Sequence, residues 1–225
     1  PRATKIICTI GPATDTSDML GQLIEAGANV FRLNMSHSKH DWVREVVFRI
    51  RRKAAELEAN VAILFDLQGP SIRTGDLAEP YHLKKGDTVE IRLGTAKPEL
   101  PFSTTVNYDG LLQDVQAGHT MVVDNGGILM RIAEVRPDRL ICDVLTEGVF
   151  GSRRHINLPG VALRLPALTE KDLADLAVAV ECETDYVAMS FVRDAAHIAQ
   201  LREHIDNLGG KAQIVAKIED QQAVR

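Results

Sequence analysis

Three short apolar runs, at residues 5–10, 29–33 and 61–66, alternate with two helical patterns over the first third of the chain. No other feature narrows the fold as much. The runs are rich in β-branched residues and almost unbroken by polar ones, the pattern of strands covered on both faces. Between the first two, Thr14-Asp15-Thr16-Ser17 offers N-caps, Met19, Leu20, Leu23 and Ile24 share one helical face, and Gly27 ends it. Residues 42–57 form a longer amphipathic stretch rich in Arg, Lys and Glu. Regular alternation of strand and helix predicts a parallel α/β sheet.

From about residue 75 to 163 the helical period gives way to short alternating strands at 88–93, 120–123, 128–135 and 139–145. Turn signals separate them at Lys85-Gly86-Asp87, Asn125-Gly126-Gly127 and Arg136-Pro137-Asp138. The α/β pattern then resumes. Thr169-Glu170-Lys171-Asp172 opens a helix through Leu173, Leu176 and Val180, and 186–190 reads as a strand. Asp194 starts a helix with Ile198, Leu201, Ile205 and Leu208 on its buried face, Gly209-Gly210 stops it, and 213–217 is the last strand. The expected fold is α/β, an incomplete TIM (β/α) barrel in two parts, 1–74 and 164–225, with a small β-barrel-like domain inserted at 75–163. A closed barrel of eight strands takes about 250 residues without insertions, more than this chain leaves for it. The first residue is not Met and 219–225 read as a helix broken in mid-course, so a fragment is expected.

The net charge of −5, with 25% charged residues, argues against nucleic acid or an anionic membrane as partner. Cys8, Cys142 and Cys182 are scattered and form no C-x-x-C pair, so neither a disulfide framework nor a zinc site is expected, and a cytoplasmic location is. No stretch approaches the roughly 18 apolar residues of a membrane span.

Polar residues collect just after the strand runs: Arg32, Asn34, Ser36 and His37, then Asp66 and Arg73, then Ser190 and Arg193, then Lys217 and Glu219. In a parallel α/β barrel these positions share the C-terminal rim, where active sites are built. Their chemistry is that of an anion-binding, metal-assisted site.

At these residues the chain resembles the pyruvate kinase family. The resemblance rests on Lys5-Ile-Ile-Cys-Thr-Ile-Gly-Pro12, Phe31-Arg-Leu-Asn-Met-Ser-His37, Asp66-x-x-Gly-Pro-x-Ile-Arg-Thr74, Asn157-Leu-Pro-Gly160, Ser190-Phe-Val-Arg193 and Ala216-Lys-Ile-Glu219, in the family's order along nearly the whole chain. It implies phosphoryl transfer from phosphoenolpyruvate to ADP, giving pyruvate and ATP, with residues 75–163 as a mobile lid. It implies that Arg32 clamps the phosphoryl group and Lys217 stabilises the phosphoryl in transfer and the developing enolate. Ser190 and Phe191 would line the substrate pocket, and Arg73, His37 and Arg154 would face the nucleotide. Glu219 would be one of two carboxylates on Mg²⁺ or Mn²⁺. Asn34, Ser36, Asp66 and the carbonyl of Leu67 would form a cage for a monovalent cation, K⁺. A homo-oligomer is implied for the full-length protein.

The chain departs from the family's pattern at several points. Leu67 stands where the family usually has Thr, removing a hydroxyl ligand, and Ser71 where it has Glu, or a Lys that replaces potassium in one subgroup. Weakened or absent potassium dependence is therefore expected. Arg154-His155 replaces a Lys-Gly, and Asp124-Asn125-Gly126 carries one carboxylate fewer than the family's Asp-Asp-Gly. No Ala-Arg-Gly-Asp-Leu-Gly-type segment follows Glu219 within these residues, so the 225-residue chain alone is expected to be nearly inactive. Two rival readings are another enolate-handling barrel such as an aldolase or mutase, and a truncated homologue that acts as a binding or regulatory partner.

Overall fold

The structure is a computed structural model and describes residues 3–124, 126–161, 163–219 and 223–224. The first apolar runs form β1 (Ile7–Thr9), β2 (Val30–Asn34) and β3 (Ala62–Asp66), linked by α1 (Ser17–Glu25) and α2 (His40–Glu56). Thr16 caps α1, its hydroxyl accepting the Met19 amide at 3.3 Å. Gly27, at φ 100°, closes the helix end in the left-handed region that glycine enters without a Cβ clash. α2 turns Val43, Val46, Val47, Ile50 and Ala54 inward, spaced at helical intervals.

Short strands follow: β4 (Tyr81–Leu83), β5 (Thr88–Arg92), β6 (Ser103–Thr105) and, after α3 (Leu111–Asp114), β7 (Thr120–Val123), β8 (Ile128–Val135), β9 (Arg139–Val144), β10 (Gly148–Phe150) and β11 (Ile156–Asn157). The chain ends with α4 (Glu170–Glu181), β12 (Tyr186–Met189), α5 (Ala195–Asn207) and β13 (Gln213–Ala216). The helix expected at 219–225 falls largely outside the described residues, as does Asn125. The chain divides into two compact units, Pro1–Pro70 with Pro166–Arg225, and Ser71–Leu165.

The first unit is built on a five-stranded sheet in the order β1-β2-β3-β12-β13, every neighbouring pair parallel. Helices cover β3 and β12, whose Ile63, Phe65, Val187 and Met189 are almost fully buried together with Phe31, Leu33 and Met35. The expectation of strands buried on both faces fails at the edge: Ile7 on β1 is 58% exposed. An edge strand has a neighbour on one side only, so its side chains lack the second flanking row that covers a central strand.

The second unit packs its core inside a sheet ordered β11-β7-β8-β9-β5-β6, antiparallel except for the β5–β6 pair, with β4 and β10 as a separate ribbon. Arg73 bridges His155, beside β11, and Thr74 bridges Val106, beside β6. Residues 73–74 thereby span the interval between the two edge strands, which is why 71–74 group with this unit. Its interior holds a fully buried carboxylate, Glu90, paired with Arg139 at 2.8 Å and accepting the Glu99 amide at 2.7 Å. A buried charge is tolerated when paired and hydrogen-bonded in this way.

Burial predicts how the first unit responds to truncation. Phe31→Ala, at a fully buried position on β2, is expected to lower unfolding free energy by about 3–5 kcal/mol in a denaturant titration. Phe48→Ala, at a 65% exposed position on α2, is expected to change it by less than about 0.5 kcal/mol.

Candidate active site

Parallel strands deliver the residues at their C-terminal ends to one rim, and here a single carboxylate ties that rim together. Asp66, the last residue of β3, is 3% exposed. Its Oδ2 accepts Nε of Arg32, from β2, at 2.7 Å and lies 2.6 Å from Nη2. Its Oδ1 accepts Nζ of Lys217, just beyond β13, at 3.2 Å. The Lys217 ammonium also donates to Ser190 Oγ at 2.9 Å and lies 3.3 Å from Glu219 Oε1. The Ser190 hydroxyl donates in turn to the Leu67 carbonyl at 2.6 Å. Glu219 Oε2 accepts the Phe191 amide at 3.0 Å. Arg32, Asp66, Leu67, Ser190, Phe191, Lys217 and Glu219 therefore form one connected group. Two cations alternate with two carboxylates, and each cation is about 30% exposed, so a dissolved anion can reach both.

The turn after β12 is held under strain. Phe191 lies at φ 55°, in the left-handed region that a bulky residue rarely enters, and its amide is fixed by Glu219. Gly69, at φ 69°, packs against this turn: a Cβ there would come within 2.9 Å of Ser190 Cβ and 3.1 Å of Phe191 Cδ2. Only glycine meets both the dihedral and the space.

Asn34, Ser36 and His37 occupy the loop after β2. Asn34 lies opposite Asp66 in the sheet, its Oδ1 accepts the Ser36 amide at 3.2 Å, and His37 is exposed. Two of the four residues expected around a monovalent cation are already engaged: both Asp66 oxygens face protein cations and the Leu67 carbonyl accepts from Ser190. For a divalent ion, Glu219 offers one carboxylate on the rim. Among the described residues no group of three or more His, Cys, Asp or Glu is arranged to hold a metal. Mg²⁺ is commonly held by one or two carboxylates with water and substrate phosphate completing its shell, so Glu219 fits as one such ligand.

Arg73 and Arg154 belong to the second unit and have their own partners there. Arg73 Nε donates to Ser71 Oγ at 3.1 Å and Nη1 to the Arg153 carbonyl at 3.0 Å, while Arg154 Nη1 lies 3.2 Å from Asp124 Oδ2. Ser71, one of the positions where the chain departs from the expected pattern, thus holds a neighbouring guanidinium.

Several contributors escaped the reading of the sequence. Thr9 Oγ1 accepts Arg32 Nη1 at 2.9 Å; it stood within the first apolar run and the Lys5–Pro12 motif, and neither gave it a role. His197, on α5, contacts Arg193, and its pKa is lowered by burial and then by that neighbouring positive charge. The first turn of α4, read only as a cap, reaches both loops of the site through Lys171 and Asp172.

Comparisons with known proteins give the chain a family and named relatives. The family model described as "Pyruvate kinase, barrel domain" matches residues 1–225. The chain is similar to plastidial pyruvate kinase 2 of Arabidopsis thaliana, 38% identical over 226 residues, covering 99% of this chain and 38% of that protein. It is similar to pyruvate kinase isozyme G, chloroplastic, of Nicotiana tabacum at 36% identity, covering 100% and 40%, and to a pyruvate kinase of Staphylococcus aureus at 35%, covering 99% and 38%. The chain spans about two fifths of the length of these curated relatives.

The fit of Gly69 is open to a direct measurement. Gly69→Ala is expected to destabilise the first unit by about 1–3 kcal/mol, read from the denaturation midpoint. Gly11→Ala, where an added Cβ meets nothing within 4 Å, is expected to change stability by less than about 0.5 kcal/mol.

Proposed function

The chain belongs to the pyruvate kinase family, and we propose that it supplies the phosphoryl- and enolate-binding part of an enzyme that transfers a phosphoryl group from phosphoenolpyruvate to ADP, giving pyruvate and ATP. In this reading the parallel sheet of the first unit is part of a TIM barrel, residues 75–163 are an inserted lid between barrel parts 1–74 and 164–225, and the full-length protein is a cytoplasmic homo-oligomer. The observation that carries the proposal is the sharing of Asp66 by Arg32 and Lys217 beside Ser190 and Glu219.

Phosphoryl transfer demands little covalent chemistry of a protein and much placement of positive charge. Arg32 presents a planar fork suited to phosphoryl oxygens and would hold the group in transfer. The Lys217 ammonium would turn from Asp66 and Ser190 toward the oxygen on which enolate charge develops, an interaction that strengthens as the reaction proceeds. Ser190 and Phe191 would bound the substrate, and Arg73, His37 and Arg154 would meet the nucleotide. Glu219 would hold Mg²⁺ or Mn²⁺, and a divalent ion bound there would neutralise phosphoryl and enolate oxygens. Asn34, Ser36, Asp66 and the Leu67 carbonyl are the residues that would face a monovalent cation. The engagement of Asp66 by two protein cations supports weak or absent potassium dependence.

The test is a coupled assay of pyruvate formation by the complete natural polypeptide, with the isolated 225-residue chain expected to be nearly inactive. Lys217→Met is expected to lower kcat/KM by about 10³-fold, the scale of losing a charge-stabilising donor. Turnover is expected to change little across a potassium titration, and strong activation would remove the potassium proposal. Binding of phosphoenolpyruvate by the complete polypeptide without turnover would instead support a binding or regulatory partner.

A further inference from the structure

We propose that the first turn of α4 is the brace that holds the two loops of the site in register, with Lys171 and Asp172 as positioning residues. The kinetic side of this inference rests on the phosphotransferase reading above; the structural side does not.

Asp172 does more than cap its helix. Its Oδ2 accepts the Thr169 amide at 2.9 Å and the Thr169 hydroxyl at 2.6 Å, and its own amide donates back to that hydroxyl. These bonds complete the cap. The other oxygen, Oδ1, accepts the amide of Gly69 at 2.9 Å, from the loop after β3. Asp172 is fully buried, so loss of its carboxylate leaves the Gly69 amide facing an apolar interior. Gly69 is also the seat of Ser190 and Phe191, and Ser190 holds Lys217. One line of contacts therefore runs from Asp172 through Gly69 and Ser190 to the Lys217 ammonium.

Lys171 begins a second line. A cation in the first turn of a helix faces the positive end of the helix dipole and needs compensation. It receives it from Asp175, fully buried, at 2.6 Å, and from the Met35 carbonyl at 2.7 Å. The second oxygen of Asp175 lies 2.7 Å from His40 Nε2, at the start of α2, so the acceptor is itself fixed. Met35 is fully buried between Asn34 and Ser36, and its amide donates to the main-chain carbonyl of Asp66 at 3.0 Å. The backbone of Met35 is thus clamped on one side by Lys171 and on the other by Asp66. The first line ends on Lys217 and the second on the backbone of Asp66, whose carboxylate holds both Arg32 and Lys217.

Loosening the brace leaves the charges of Arg32 and Lys217 in place and disturbs only their aim. Ground-state attraction of the substrate then survives while stabilisation of the transition state is lost. In the complete natural polypeptide, Lys171→Met is expected to lower kcat about tenfold with KM for phosphoenolpyruvate changed less than about threefold. Lys171→Arg, which still donates to the Met35 carbonyl, is expected to restore most of the loss. Amide hydrogen exchange gives a readout independent of activity: Lys171→Met is expected to speed exchange at residues 34–38 and spare 67–70, and Asp172→Ala to do the reverse. Unchanged kcat in Lys171→Met with active wild type overturns the proposal, as does an equal loss in Lys171→Met and Lys171→Arg. If the wild type makes no pyruvate, the activity reading falls and the exchange pattern alone decides. Exchange at 34–38 unaltered by Lys171→Met then overturns the brace.

Discussion

Two positive side chains, Arg32 from β2 and Lys217 from the end of β13, converge on Asp66, and the site exists because that carboxylate stands between them. Without an anion the two cations would repel each other, and neither would stay near a rim that is only partly solvated. The sheet order makes the meeting possible. β3 lies between β2 and β12, so its last residue is reached by an arginine from one side and, across Ser190, by a lysine from the other. The same arrangement keeps the charges in balance until an anionic ligand competes for them.

Much of the first unit was legible in the sequence because local signals and tertiary environment agree there. Thr16, Thr169 and Asp194 cap the helices that they precede, and the apolar runs are strands within one or two residues of the expected bounds. The short strands β4, β6, β10 and β11 were not foreseen. They have two or three residues each, too few for a period of two to register, and are defined by partners far along the chain. The site was legible as a set of residues and not as a set of bonds. Motif order singled out Arg32, Asp66, Ser190, Lys217 and Glu219, yet nothing in it said that the Ser190 hydroxyl would hold the Leu67 carbonyl or that Glu219 would fix the Phe191 amide. Those contacts join strands far apart in sequence, and a spacing carries no information about them.

Phe191 shows how strain and chemistry share one place. A bulky residue at φ 55° persists only where its surroundings over-determine it, and here Glu219 below and Gly69 beside it do so. The carboxylate suited to a metal ion is therefore also the acceptor that keeps the aromatic turn in its unusual conformation. Any ligand that draws Glu219 away acts on the turn of Phe191 as well as on its own coordination.

The discontinuity of the first unit has a consequence for the birth of the chain on the ribosome. Ile63, on β3, gives its amide to Asp185, a partner 122 residues later. At a synthesis rate of roughly 5–20 residues per second, β3 waits roughly 6–25 s for it. The second unit is continuous in sequence and can complete its own core within that interval. Throughout it β12, the strand that pairs with β3 in the folded sheet, has yet to be made, so any sheet of β1, β2 and β3 would end at β3 in an open edge.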